Sequence, residues 1–242
     1  MSGHSKWATT HRQKAITDAK RGAAFTRLAK NISVAARKGK DPEMNAGLRL
    51  AVEKAREANM PKDNIERAVL KGAGELPGMS YEEARYEGYV PGGAAFIAEC
   101  TTDNTNRTLM AMRGLFHEHG GTVGTPGSVA FLFDQKGVIR IARADFGPSR
   151  SEEELELLAI DAGANDLETD EHGMTIFTAR EQLHAVGKAL ETAGVKLESL
   201  ETEWVPKSPM DVSAEDGEKI VAFVEILEDN DDVNAVYTNA QF

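Results

Sequence analysis

The chain has 242 residues, 41% hydrophobic and 28% charged, which is typical of a folded globular protein with one large domain or two to three smaller ones. It contains no apolar run of about 18 residues, which argues against a transmembrane helix, and its single cysteine, Cys100, excludes an intramolecular disulfide. The formal charge is −11, yet residues 1–40 hold ten of the 28 lysines and arginines and only one acid, Asp18, so this stretch carries about +9 and the remainder about −20. We expect a cytoplasmic protein with one local cationic surface.

Residues 17–38 have a helical pattern in which Phe25, Leu28 and Ile32 recur on one face. At about 100° per residue, most of the cations of this segment fall roughly opposite that apolar stripe. Lys20, Arg27 and Lys38 lie near one line, Lys30 and Arg37 lie on its flank, and Arg21 is the exception near the apolar edge. The pattern predicts a helix with a core face and a cationic face.

Two more helices follow in the sequence. Asp41 is positioned to cap the second, with Pro42 as its first residue, and this helix is expected to run to about Ala58. The Asn-Met-Pro step at 59–61 breaks it, and a third helix ends at Gly72. Residues 1–75 therefore form a predicted three-helix domain, followed by a linker rich in glycine and proline.

After the linker the apolar period changes from helical to alternating. Strands are predicted at 86–90 and 94–102 around the turn Pro91-Gly92-Gly93, then a helix at 104–120 and a strand at 128–134. This ββαβ unit forms the first part of a second domain.

Residues 137–206 have a different order, strand-helix-strand-strand-helix-strand, which is the ferredoxin-like βαββαβ arrangement. Ser151 and Glu154 form a capping box at its first helix. A final helix at 214–230 and strand at 233–239 cannot form a domain alone, so we expect them to return to the second domain. The predicted fold is α+β with three domains: a helical domain at 1–75, a discontinuous α/β domain at 80–134 plus 208–242, and a ferredoxin-like domain at 135–207 inserted in it.

The basic amino-terminal segment is the candidate binding surface. Cations and rings with little apolar content suit phosphate contact and base or ribose stacking. The predicted nucleic-acid-binding residues are His4, Ser5, Lys6, Trp7, His11, Arg12, Lys14, Lys20, Arg21, Arg27, Lys30, Arg37 and Lys38. Two alternatives stay open: a solvated helix face without a partner, and a Trp7 that anchors the arm on the helical domain.

The remaining polar clusters do not favour catalysis. The Pro91-Gly92-Gly93 turn precedes a strand and lacks the helix amino terminus of a phosphate site, while His117 and His119 point in different directions on a helix. We expect no enzyme activity, no cofactor, no metal, no small-molecule substrate and no membrane partner. Asn106 and Arg107 have no structural explanation in the sequence and stay open as contacts to a ligand or partner, whereas capping explains Asp103.

Several separated stretches closely resemble the YebC/PmpR family, which includes the mitochondrial translational activator of cytochrome oxidase. They are GHSKW followed by DAKRG near the amino terminus, NMPKDNIERA at 59–68, YEEARYEGYVPGG at 81–93, and NRTLMAMRGLFHEHGG with GSVAFLF at 106–133. The resemblance spans the chain, and it implies three domains with a discontinuous middle one.

The resemblance also implies a function. Bacterial members are commonly described as DNA-binding transcriptional regulators, and others resemble ribosome-associated factors that assist translation through consecutive prolines. The residues that match the family's amino-terminal signature are His4, Ser5, Lys6, Trp7, Asp18, Lys20, Arg21 and Gly22. The chain departs from the signature at Thr9 to Gln13 and at Ala23, where positive charge is lost.

From these observations we expect a non-enzymatic DNA-binding regulator of transcription. Binding to rRNA or tRNA on the ribosome is the alternative, and an acidic interaction protein with an incidental basic arm is a third class. The oligomeric state is open.

Overall fold

The structure is a computed structural model that describes residues 18–76, 81–146 and 151–241, without the side chains of 18–23 and 46. The helices are α1 (Asp18–Ala36), α2 (Ala46–Glu57), α3 (Lys62–Gly72), α4 (Thr105–Glu118), α5 (Glu152–Ala162), α6 (Leu183–Thr192) and α7 (Ala214–Glu228). The strands are β1 (Glu82–Tyr89), β2 (Ala95–Thr102), β3 (Thr122–Val123), β4 (Phe133–Ala142), β5 (Asp166–Thr169), β6 (Gly173–Thr178), β7 (Ser199–Pro206), β8 (Met210–Asp211), β9 (Val233–Thr238) and β10 (Ala240–Gln241). The fold is α+β, as the sequence predicts.

Helices α1 to α3 pack around one apolar cluster in which Ile32 and Leu48 are fully buried. Gly72 of α3 lies so close to α1 that an added Cβ would stand 2.1 Å from the carbonyl oxygen of Ser33, so the helix contact requires glycine. The predicted start of the second helix is wrong by about four residues. Asn45, not Asp41, caps α2, because its side-chain oxygen accepts the backbone N–H of Leu48 at 3.1 Å.

The first sheet is antiparallel and has the order β3-β1-β2-β9. Strands β1 and β2 form the predicted hairpin, and β9 pairs with the other edge of β2, with Phe96 opposite Thr238. The carboxy-terminal segment thus returns to this sheet. Helices α4 and α7 cover one face, where the rings of Phe96, Phe116 and Phe223 meet edge to face with centroids 4.9–6.2 Å apart.

The strand predicted at 128–134 is wrong. Residues Ala130–Leu132 form a 3₁₀ turn, and β4 starts at Phe133 and belongs to the second sheet. The cause is Glu87 of β1, whose carboxylate accepts the backbone N–H groups of Gly127, Val129 and Ala130 at 2.9 Å each. Burial by itself would raise the pKa of Glu87, but these bonds and the charge of Arg85 outweigh burial and lower the pKa.

The second sheet has the antiparallel order β5-β6-β4-β7, with α5 and α6 in the connections, as a ferredoxin-like unit requires. The predicted capping box is present: Ser151 accepts the backbone N–H of Glu154, and the Glu154 carboxylate accepts that of Ser151. Arg140 and Glu203 form a buried two-bond ion pair across β4 and β7, at 2.5 and 2.9 Å.

Contacts divide the chain into two compact units. One is built around residues 131–209, and the other around the residues up to 130 together with 210–240. The three helices α1 to α3 therefore belong to the same unit as the first sheet. The boundary between a helical and a middle domain near residues 75–80 stays a prediction. No helix in the described ranges is long and apolar enough to cross a membrane.

Candidate nucleic-acid interface

Much of the predicted binding surface lies where the structure describes no side chains. His4, Ser5, Lys6, Trp7, His11, Arg12 and Lys14 lie outside the described residues. Lys20 and Arg21 lie within α1, but their side chains are not described. The contacts of these residues with nucleic acid stay predictions.

The cationic face of α1 has a second role within the chain, because three of its predicted binding residues, Arg27, Lys30 and Arg37, contact the rest of their own unit. Arg27 donates to the carbonyl oxygen of Glu228 at 2.6 Å, at the end of α7. Arg37 donates to the carbonyl oxygen of Tyr81 at 2.9 Å, just before β1. Lys38, in contrast, is exposed to solvent. Part of the face predicted to meet phosphate is thus used to attach α1 to the sheet.

Lys30 differs most from its predicted role. It is 7% exposed, and its ammonium lies 2.5 Å from the carboxylate of Asp232 and 3.0 Å from the carbonyl oxygen of Asp231. A buried ammonium already paired with a carboxylate presents little charge to a phosphate. We therefore leave Lys30 out of the interface and assign it to the attachment of α1.

Asp232 is the acceptor at the centre of this attachment. Besides Lys30 it accepts hydrogen bonds from Thr108 at 2.8 Å and Arg107 at 2.9 Å. Burial alone would raise the pKa of Asp232, but the bonds from Lys30, Arg107 and Thr108 lower it to about 2. We refer to Lys30, Arg107, Thr108 and Asp232 as the Asp232 cluster.

The Asp232 cluster explains Arg107, which the sequence left open. The hydrogen bonds that Arg107 donates to Asp232 and, second, to Asp103 raise the pKa of the guanidinium and fix it at the start of α4. The predicted cap at Asp103 is wrong, because Asn104 caps α4 by accepting the backbone N–H of Arg107 at 3.0 Å. Asn106 is exposed, and its role stays open.

The lowered pKa of Asp232 predicts an acid-sensitive attachment of α1. A carboxylate with a depressed folded-state pKa stabilises the fold fully above its unfolded value, near 3.8, and this contribution is lost as the pH falls towards about 2. We expect the unfolding free energy to drop between about pH 4 and pH 2, and this part of the drop to vanish in Asp232→Asn. Urea titrations at several pH values measure it, and an unchanged pH dependence in the variant would contradict the assignment.

A groove opens beside α1, between α1, α3 and Tyr81, the residue that precedes β1. Its volume is about 280 Å³. The residues that line it are Phe25, Thr26, Ala29, Ser33, Met60, Asn64, Arg67, Ala68, Lys71 and Tyr81. The lining contains two cations and two aromatic rings and no acid, in a chain whose formal charge is −11.

Sequence reasoning missed the groove residues outside α1. The sequence signal for these residues is the family resemblance, because the stretches 59–68 and 81–93 contain Asn64, Arg67 and Tyr81. Helical periodicity did not single them out, because the groove depends on how α3 and Tyr81 approach α1. Lys71 follows one helical turn after Arg67, so that both cations fall on the same face of α3.

Other reactive groups have structural roles. Cys100 is buried, as predicted, and burial raises the pKa of its thiol to about 12. Throughout the described part of the chain, no group of three or more His, Cys, Asp or Glu side chains could hold a metal ion.

Comparison with known proteins defines the class. Residues 5–75 match the TACO1/YebC protein N-terminal domain, and residues 81–240 match the TACO1/YebC second and third domain. The chain belongs to the TACO1/YebC family. This finding agrees with the resemblance read from the amino-terminal and central stretches.

Individual relatives cover nearly the whole chain. A probable transcriptional regulatory protein from Pelotomaculum thermopropionicum is 48% identical over 99% of this chain and 98% of its own length, and one from Kosmotoga olearia is 46% identical over 99% and 94%. The crystal structure of a conserved hypothetical protein from Aquifex aeolicus is 43% identical, with a TM-score of 0.85 over 94% of this chain and 93% of that one. The names of the Pelotomaculum thermopropionicum and Kosmotoga olearia relatives indicate a regulator of gene expression.

Proposed function

We propose that the chain is a non-enzymatic regulator of gene expression that binds nucleic acid through its amino-terminal basic segment, with DNA as the first candidate target. The observation that carries the proposal is the separation of charge: ten cations and one acid in residues 1–40 of a protein with formal charge −11. A local cationic surface governs binding to a polyanion more than the total charge does. The names of the relatives, probable transcriptional regulatory proteins, support the regulatory part.

Several of the predicted cations already have partners within the chain, and we leave them out of the proposed contacts. Arg27, Lys30 and Arg37 are engaged within the chain, and Lys40 pairs with Glu75 at 2.5 Å on the surface. The proposed contacts therefore come from Lys6, Arg12, Lys14, Lys20 and Arg21, with Lys38 in addition. Such contacts to phosphate set affinity without reading sequence.

Affinity measured across salt concentration tests this proposal. If about five cations contact phosphates, the log-log slope of affinity against salt should be near −4 to −5 on duplex DNA. Fluorescence anisotropy of a labelled duplex at about 50–300 mM salt gives this slope. A slope near zero would remove nucleic-acid binding as the function.

A ribosomal target, rRNA or tRNA, is the second candidate. The specific observation in its favour is the groove between α1, α3 and Tyr81. This groove is concave and cationic, and its size suits an unpaired base rather than a duplex. Crosslinking in cells followed by sequencing of the bound nucleic acid separates the two. Recovery of promoter DNA supports transcriptional regulation in the cytoplasm, and recovery of mainly rRNA or tRNA supports the ribosomal alternative.

A further inference from the structure

We propose that the groove between α1, α3 and Tyr81 binds one unpaired nucleotide, with the base against its apolar and aromatic floor and a phosphate at Arg67 and Lys71. The inference rests on the proposed nucleic-acid binding and goes beyond it, because it assigns a second contact, separate from the amino-terminal arm. The same chemistry is offered by single-stranded RNA and by single-stranded DNA.

The shape of the groove suits one nucleotide. Its volume of about 280 Å³ lies near the lower end of the ~300–1,000 Å³ range of small-ligand sites. Met60 and Ala68 are buried in its floor, and Ser33 is fixed there because its hydroxyl donates to the carbonyl oxygen of Ala68 at 2.9 Å. A floor held by the core of the three helices is formed before any ligand arrives.

The ring of Tyr81 is held in place at the rim. Arg37 donates a hydrogen bond to the backbone carbonyl oxygen of Tyr81. The ammonium of Lys71 lies 3.1 Å from the Tyr81 hydroxyl and 4.5 Å from the ring centroid. Phe25 of α1 is half-buried and lines the same groove. Aromatic side chains placed in this way provide the surface against which unpaired bases pack in single-strand sites.

The polar groups of the groove match the rest of a nucleotide. Arg67 is exposed, and neither its guanidinium nor the side-chain amide of Asn64 bonds to any residue that the structure describes. A guanidinium and the ammonium of Lys71 suit a phosphate, and an amide suits the edge of a base, because it both donates and accepts. The absence of an acid from the lining leaves nothing there to repel the phosphate.

The aromatic floor of the groove favours an unpaired nucleotide over a duplex. In a duplex the bases are stacked inside the helix, and only phosphates and groove edges reach a protein surface. A duplex would therefore use Arg67 and Lys71 without occupying the aromatic floor. Variants of the floor and of the cations should then affect single strands and duplexes differently.

The test uses the full chain and three probes: a 12-nucleotide single-stranded RNA of mixed sequence, the DNA of the same sequence, and the corresponding duplex DNA. Asn64→Leu and the double variant Arg67→Gln/Lys71→Gln probe the groove. The double variant Arg49→Gln/Arg56→Gln is the matched control, since it removes the same charge from exposed positions of α2 that do not line the groove. Circular dichroism and thermal unfolding check that each variant folds.

We expect Arg67→Gln/Lys71→Gln to weaken single-strand binding about tenfold more than the control, and Asn64→Leu to weaken it while leaving duplex binding unchanged. Comparison of the RNA and DNA probes shows which sugar the site accepts, and tighter binding of the RNA identifies RNA as the ligand. As an independent readout, a 4-thiouridine probe should photo-crosslink to peptides that contain Phe25 or Tyr81.

Three outcomes would overturn parts of the argument separately. If the groove variants and the control bind single strands with equal affinity, and the crosslinks fall elsewhere, the groove is not a nucleotide site. The proposed function would still stand. An equal loss for single strands and duplex shows that the cations bind phosphate only and refutes the nucleotide site. A wild-type chain that binds none of the probes, with no salt dependence, refutes the proposed function as well.

Discussion

Replacing Asp232 by alanine is expected to destabilise the unit that contains α1 and the first sheet by about 3–5 kcal/mol. The Asp232 and Lys30 side chains are 10% and 9% exposed, so the variant would leave a buried ammonium without its carboxylate. It would also leave Thr108 and Arg107 without the acceptor that they share. Urea unfolding followed by circular dichroism measures the loss of free energy.

Asp231→Asn is the matched control, because Asp231 is the exposed neighbour and contacts Lys30 only through its backbone carbonyl. Its effect should stay within about 0.5 kcal/mol, as for other surface substitutions. Adding Lys30→Met to Asp232→Ala should recover part of the loss, since no unpaired charge is then buried. If Asp232→Ala and Asp231→Asn were equally stable, the Asp232 cluster would not hold α1 to the sheet.

Neutralising the five cations of the amino-terminal segment is the second large effect that we expect. The variant Lys6→Gln/Arg12→Gln/Lys14→Gln/Lys20→Gln/Arg21→Gln should lose about 100-fold or more in affinity for duplex DNA at about 100 mM salt. Its log-log salt slope should fall by about 4, because each lost phosphate contact removes nearly one unit of slope. Anisotropy titrations over a salt series report both quantities.

The control removes equal charge from another part of the chain. Arg143, Arg180, Lys188, Lys196 and Lys207 are exposed in the unit around residues 131–209 and can be changed to glutamine together. If only total charge mattered, both variants would weaken binding equally. We expect the control to keep nearly the whole salt slope, and an equal fall in the two variants would argue against a local interface.

The second sheet could be predicted from the sequence because its signals are local. Alternating apolar residues mark β4 and β6, and the Ser151–Glu154 capping box marks the start of α5 within four residues of chain. The prediction of a strand at 128–134 is wrong because the contact that decides its structure is not local. Its alternation is real, but the side chain of Glu87, about forty residues earlier, takes up the backbone N–H groups that a sheet would have used.

The binding surface shows the same limit. Helical periodicity placed Arg27, Lys30 and Arg37 on one side of α1, and the structure has them making contacts there. Periodicity does not reveal what covers that side, because the partners of Arg27 and Lys30, Glu228 and Asp232, are about 200 residues further along the chain. A cation that attaches α1 can be told from one that is available to a ligand only when these long-range contacts are known.

The pairing of β9 with β2 has a consequence for the order in which the protein is made. Strand β2 is almost wholly buried in the finished sheet, but its partner β9 follows about 130 residues later. At ~5–20 residues per second, synthesis leaves this edge unpaired for on the order of ten seconds. During that interval Lys30 and Arg27 also lack their acceptors. The nascent chain therefore presents more positive charge, and one more open strand edge, than the protein that leaves the ribosome.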